Sequence, residues 1–368
     1  MPLPTHFFVA LAFSLSLLTH VAARPASYAV WAADSAIKRK QGNGLDGSGK
    51  GSVSYEHGEL QWGLRLLYER TGNQSYYTYI QAGADNIVSS AGTLHDNYKL
   101  SDYSLDPVRT GPTLLYLYDK TGATKYKTAF ETFKSQLNSH PRTAQGQYWH
   151  KLRYFNQGWL DGIYMGDVFY AQYVKTFQSS NATAWSDITS QFNLMYQNTL
   201  QTSGNLGLLY HGYDYSHTAP WASSDRGHSP EVWDRALGWY MKALVDVVEI
   251  MPTSVAGRTT LLNILQALAP KIRDAADPTA GVWWLVMTQP GRSGNYFESS
   301  GSAMFVYSLL KAVRLGYIKD TDGSIVKAMK KAYQYMTANW VVANSDGTMS
   351  WKNTVEVRVF LVTTELAF

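Results

Sequence analysis

The chain has 368 residues, a formal charge of +4 and no cysteine, which excludes disulfide staples, thiol catalysis and thiolate metal sites. Its lysines and arginines are scattered, so no basic stripe argues for nucleic acid. Apolar residues make up 45 % of the sequence, enough for a large core, and the 12 Trp and 26 Tyr serve either packing or a cleft in which flat rings stack on sugars.

In chain order, Phe7 to Leu18 is an apolar run of signal-peptide length, too short to span a bilayer. Val21 and Ala23 supply the small residues of a cleavage site, although the segment before the run lacks Lys and Arg. Residues 1–23 are therefore expected to be a signal peptide, and the product to be secreted, extracellular and free of the membrane. The sequons Asn73-Gln74-Ser75 and Asn181-Ala182-Thr183 fit that route. Gly42 to Ser54 reads as a loop. Its Gly44-x4-Gly49-Lys50 looks like a phosphate-binding loop, but Gly51 follows where Ser or Thr is needed and no apolar strand precedes it.

A repeat comes next. Leu67-Tyr68-Glu69-Arg70-Thr71-Gly72 with Tyr76 recurs as Leu117-Tyr118-Asp119-Lys120-Thr121-Gly122 with Tyr126. A basic residue in the last turn and Gly just past it mark a helix end, so each copy is a helical hairpin that must stack on its neighbours. Further helical runs are expected at 162–178, 184–201, 231–250, 258–275, 300–315 and 323–340. About ten helices without strand alternation predict an all-α toroid, with an open solenoid as the alternative.

Asp106 and Asp161 each precede or open a helical run, where an Asp is ordinarily a cap. Placed at corresponding entrances of neighbouring inner helices, they could instead face one pocket and divide into acid and base. Arg235 and Trp239 lie four apart on one helix face, as a packed cation–π cluster or as a sugar platform with a guanidinium for a carboxylate. His211, His217 and His228 lack zinc-ligand spacing, so no metal is expected. Nothing points to a cofactor.

Together these segments resemble the unsaturated rhamnogalacturonyl hydrolases, glycoside hydrolase family 105, related to the unsaturated glucuronyl hydrolases of family 88. The resemblance rests on Tyr148-Trp149-His150-Lys151, Trp159-Leu160-Asp161-Gly162-Ile163-Tyr164-Met165, Tyr210-His211-Gly212, Ser229-Pro230-Glu231, Arg235-Ala236-Leu237-Gly238-Trp239-Tyr240 and Asn295 to Met304. It implies a six-hairpin (α/α)6 barrel as one catalytic domain over 24–354, acting on an unsaturated pectic oligosaccharide. An Asp would protonate C4 of the 4,5-unsaturated uronate left by a lyase, and water would add at C5. The hemiketal then opens and the link to the next sugar breaks.

By motif position Asp161 is the acid, its pKa raised by Trp159 and by the second carboxylate, Asp106. His150, Lys151, Trp159, Met165, His211, Arg235 and Trp239 would line the pocket, with Arg235 or Lys151 on the uronate carboxylate and Trp239 stacked on the sugar; His57 could also reach it. From Val355 to Phe368 the chain departs from the family pattern with a β-branched apolar tail, which leaves open whether the barrel is complete at its C-terminus. The alternatives are an inverting hydrolase of saturated pectic chains, using Asp106 and Asp161, and a non-catalytic carbohydrate-binding protein.

Overall fold

The computed structural model describes residues 27–95, 97–202 and 206–356. The expected signal segment and most of the tail, from residue 357 onward, lie outside them. Eleven helices order the described residues: α1 (Tyr28–Lys38), α2 (Tyr55–Thr71), α3 (Gln74–Asp85), α4 (Gly111–Thr121) and α5 (Thr124–Ser139). The sixth, α6, runs in three pieces, Leu160–Gly162, Ile163–Asp167 and Val168–Phe177. Then come α7 (Ala182–Thr199), α8 (Asp234–Ile250), α9 (Gly257–Asp274), α10 (Ser299–Arg314) and α11 (Ser324–Asn339). All six helical runs expected from the sequence are present.

The repeat folds as its chemistry dictates. α2 and α4 both stop at a glycine in the left-handed region, Gly72 at φ 69° and Gly122 at φ 67°, whose amides return to Tyr68 and Tyr118. Thr71 and Thr121 donate to the carbonyls of Leu67 and Leu117, four residues back. Tyr76 and Tyr126, fully buried, open the returning helices and donate to Asp34 and Asp85 of the unit before.

Five antiparallel hairpins result, α2/α3 through α10/α11, with α2, α4, α6, α8 and α10 packed side by side as an inner ring. This is the all-α barrel expected rather than an open solenoid: Tyr55 of α2 meets Trp239 of α8 edge-on across the axis, and Lys242 of α8 reaches Glu59 of α2. Among the described residues α1 stands without a second helix, so the described part supplies five and a half of the six hairpins; α1 packs on α2 and on the strand Met349–Trp351. One contiguous core of Leu, Ile, Val, Phe, Tyr and Trp fills the space between the rings.

Two short pairings fix the loops at one end. β1 (Gln157–Trp159) lies antiparallel to β2 (Gly212–Asp214), with Trp159 opposite Gly212. β3 (Val341–Ala343) pairs with β4 (Met349–Trp351). Of the motif Tyr210-His211-Gly212 only Gly212 lies in a strand, β2. In the glycine-rich loop Asp46 accepts the Ser48 amide at 2.8 Å, the Lys50 amide at 3.0 Å and the Ser48 hydroxyl. An aspartate thus fills the loop's amide cradle, and His57 ties the loop to α2 through the Gly44 amide. Among the described residues no helix is long and apolar enough to cross a membrane, and no three His, Cys, Asp or Glu side chains cluster as a metal site.

Candidate active site

Hairpin topology sends all inner helices the same way, so their N-termini share one end of the barrel. Tyr55 opens α2, Asp106 opens a 3-10 turn (Asp106–Thr110) that runs into α4, and Asp161 lies in the first turn of α6. Asp234 and Arg235 open α8, and Glu298 caps α10. Five helix N-termini bring partial positive charge and free amides to one place, a setting that favours anions.

Neither predicted carboxylate is a cap. The N-cap positions belong to Leu105 and Trp159, and neither makes a side-chain capping bond. Asp161 instead pairs with His211, Nε2 to Oδ2 at 3.0 Å. The β1–β2 register builds this contact: with Trp159 opposite Gly212, the Leu160 amide donates to the His211 carbonyl and the imidazole falls beside Asp161. Immediately after comes the wide π turn Ile163–Asp167, a feature that recurs at functional sites in helices.

Asp106 receives Lys151 Nζ on one oxygen and lies 3.4 Å from His150 Nε2 on the other. His150 is only 3 % exposed and stacks on Trp159 with centroids 4.6 Å apart, while Tyr154 stacks on the same indole at 4.6 Å. Trp159 and Trp233 both meet the His211 ring edge-on. Trp239 stacks on Tyr164 at 4.8 Å, and Arg235 lies 4.8 Å over Trp233. His150, Lys151, Trp159, His211, Arg235 and Trp239 are thus gathered with the two carboxylates. Met165 is not at an open surface: it is 2 % exposed within the core.

Three expectations change. Asp161 lies below its ordinary pKa, not above it: burial, the largest influence, raises it, but His211 and then His150 more than offset that. The free site therefore holds Asp161 as a carboxylate at neutral pH. Lys151, a candidate for the uronate carboxylate, is engaged by Asp106. Arg235, the other candidate, gives both protons of Nη2 to the chain itself, at Val355 O (2.7 Å) and Glu356 O (3.0 Å).

A carboxyl pair beside Arg235 was not singled out from sequence. Asp234 and Glu298 are both fully buried, and no donor reaches either Asp234 oxygen. Glu298 accepts the Gly301 amide at 2.7 Å and the Val355 amide at 3.1 Å. Burial, then the charge of Glu298, raise Asp234 well above the ordinary carboxylate range. Gly301 is required here, because a Cβ would lie 2.3 Å from Asp234 Oδ2. The available signal was an acid adjoining Arg235 with a second acid at the next helix start; each alone reads as a cap. Tyr55 was not singled out from the sequence either. It sits where Arg235, Asp106 and Asp161 all act on its hydroxyl, and burial, the largest influence, raises it.

Burial also pushes His150 and His140 down from 6.5 to about 4, against the charge of Asp106 in one case and a bond to the Trp149 carbonyl in the other. An unfolded histidine binds its proton more readily than these do. The stability they contribute is complete above about pH 6.5 and is lost as pH falls toward about 4. Urea midpoints measured across that window should fall, and His140→Gln should flatten the decline; an equally steep decline in the variant would refute the assignment.

The site can now be set beside known proteins. The model of Glycosyl Hydrolase Family 88 matches residues 28–359. A family 105 glycoside hydrolase from Clostridium acetobutylicum (C. acetobutylicum ATCC 824) is 37 % identical, covering 88 % of this chain and 86 % of its own, with a TM-score of 0.81. An unsaturated glucuronyl hydrolase from Streptococcus agalactiae shares the fold at 12 % identity, over 89 % of this chain and 82 % of its own, with a TM-score of 0.65. Protein Atu3128 of Agrobacterium fabrum is 42 % identical over 116 residues, 32 % of this chain. That alignment spans 49 % of the curated relative's length. The likeness to family 105 and the kinship with family 88 expected from the motifs are both found, and the chain belongs to Glycosyl Hydrolase Family 88.

Proposed function

We propose that the protein removes a 4,5-unsaturated galacturonic acid from the end of rhamnogalacturonan-lyase oligosaccharides by hydrating the ring's vinyl ether, and that it does so outside the cell. The observation that carries this reading is the placement of Asp161 and Asp106 at the starts of neighbouring inner helices, with His150 and Tyr55 feeling both charges. Trp159, Trp233 and Trp239 surround them with packed aromatic rings, and converging helix N-termini suit a uronate.

In this reading Asp161 is the proton donor to C4. It starts as a carboxylate, so it has to gain a proton as substrate binds. A uronate brings negative charge and expels water, and both changes raise the pKa of a nearby carboxyl. His211, already 3.0 Å from Oδ2, is placed to pass the proton. Once C4 is protonated, positive charge at C5 faces the Asp161 carboxylate, which then takes a proton from the attacking water. Asp106, fixed by Lys151 and His150, adds negative charge toward the cationic centre without moving.

The direct assay is loss of the vinyl-ether absorbance from an oligosaccharide ending in an unsaturated galacturonyl–rhamnose unit. Turnover of this substrate, with none of its saturated counterpart, is the expected result. Release of reducing sugar from the saturated chain instead would transfer the case to inverting hydrolysis by the same two carboxylates.

A further inference from the structure

Arginine offers a carboxylate two planar forks, one formed by Nη1 with Nη2 and the other by Nε with Nη2. Nη2 belongs to both. In this protein its two protons go to the main-chain carbonyls of Val355 and Glu356, and no other hydrogen-bond acceptor of the Arg235 guanidinium is found among the described residues. As held, the guanidinium can give an incoming carboxylate single hydrogen bonds but neither fork.

The segment that takes those protons is firmly seated. The Val355 amide donates to Glu298, the residue that caps α10. Its side chain, 5 % exposed, packs with Leu285 and Val286, and Trp233 and Tyr296 pack against that cluster. Upstream, Ser299 donates its amide to Asn353 O at 2.9 Å and shares a hydroxyl bond with Thr354 at 2.8 Å. Trp351 Nε1 also donates to Ser299 at 2.8 Å. Residues 351–356 therefore run as a strap from the start of α10 to the start of α8, along the rim of the site. The indole of Trp233 links both ends of the arrangement, lying under Arg235 and packing on the cluster of Leu285, Val286 and Val355.

We infer that the main chain of Val355 and Glu356 is a built-in competitor for Arg235, and that a uronate carboxylate must displace it to be held by two hydrogen bonds. This rests on the uronate reading proposed above for the substrate class. The strap raises the threshold for binding: the apparent affinity falls by the fraction of molecules in which Arg235 is free. It also selects for ligands with a carboxylate, since a neutral sugar gains nothing from releasing the fork.

The test uses the full chain and Val355→Ala, which trims the apolar anchor and leaves every backbone group in place. D-galacturonate is titrated against tryptophan fluorescence, with D-galactose as the neutral control, and amide exchange is followed in the peptide containing 351–356. Galacturonate should bind Val355→Ala several-fold more tightly than wild type, with galactose unchanged, and should reduce exchange protection of 355–356 in wild type. Equal or weaker binding by the variant overturns the inference, as does increased protection on binding or failure of galacturonate to bind either form. The two readings separate cleanly. Turnover of the unsaturated oligosaccharide without strap release keeps the function and removes the strap. Tighter galacturonate binding by Val355→Ala without any turnover keeps the strap and removes the proposed reaction.

Discussion

Asp161→Asn is expected to lower kcat on the unsaturated oligosaccharide by about 10³-fold, within the range of about 10²–10⁴ that a positioned acid–base group supplies. The substitution keeps size and shape, and the amide oxygen can still accept from His211 Nε2, which lies 3.0 Å from the native Oδ2. What is lost is the ability to carry a proton to C4 and to take one from water. KM should change little, because the lost step is made only on the way to the transition state. Thermal unfolding should shift only slightly, since no capping bond is removed. A variant that keeps more than about a tenth of wild-type kcat would remove Asp161 from the acid's role.

The second large effect lies one helical turn below the site. Arg109, with no exposure, donates Nε (3.2 Å) and Nη2 (3.1 Å) to Glu59 Oε2 and Nη2 to the Tyr164 hydroxyl at 2.8 Å. Tyr164 in turn donates to Glu59 Oε2, and Lys242 takes the other Glu59 oxygen. One carboxylate thus serves two buried cations from α8 and the turn before α4. Burial lowers Lys242 to about 8, with Asp246 opposing and Lys311 adding to the shift.

The network is asymmetric, and so are the expected costs. Glu59→Gln leaves Arg109 and Lys242 buried without their counter-charge and should destabilise by about 3–5 kcal/mol. Arg109→Met leaves Glu59 still paired with Lys242, and the methionine partly refills the space, so about 2 kcal/mol is expected. Urea unfolding of the two variants measures both. If Arg109→Met proves the costlier change, Glu59 is not the hub.

Much of the barrel was legible in the sequence because its determinants are local. The basic-Thr-Gly endings at 70–72 and 120–122 encode a helix stop through backbone geometry that only glycine adopts easily, and apolar periodicity marks the helices that follow. The carboxylates at 106 and 161 were visible as acids at helix starts. What separates them from caps is a hydrogen bond not made, and that is a property of the folded backbone. The Asp161 pKa was misjudged for a related reason: Trp159 is two residues away in sequence, but His211, 50 residues on, favours the charged form through a strand pairing. Asp234 and Glu298 escaped notice because neither is unusual until Gly301 lets α8 and α10 close upon each other. Lys151 and Arg235 were visible in the sequence as cations within the motifs, while their partners, Asp106 and the 355–356 main chain, come from distant parts of the chain.

Three tyrosine–acid ties between successive units point in one direction along the chain. Tyr76 donates back to Asp34, Tyr126 to Asp85 and Tyr173 to Glu131, each later residue reaching an acid some forty positions earlier. None of these anchors waits for a residue still to come. A ribosome releasing the chain from its N-terminus would therefore free every acid before the tyrosine that seeks it, and each hairpin could dock on its predecessor as it emerges. The barrel's wall is suited to vectorial assembly during translation, with the far-reaching contacts across the axis, such as Lys242 to Glu59, locking the ring afterwards.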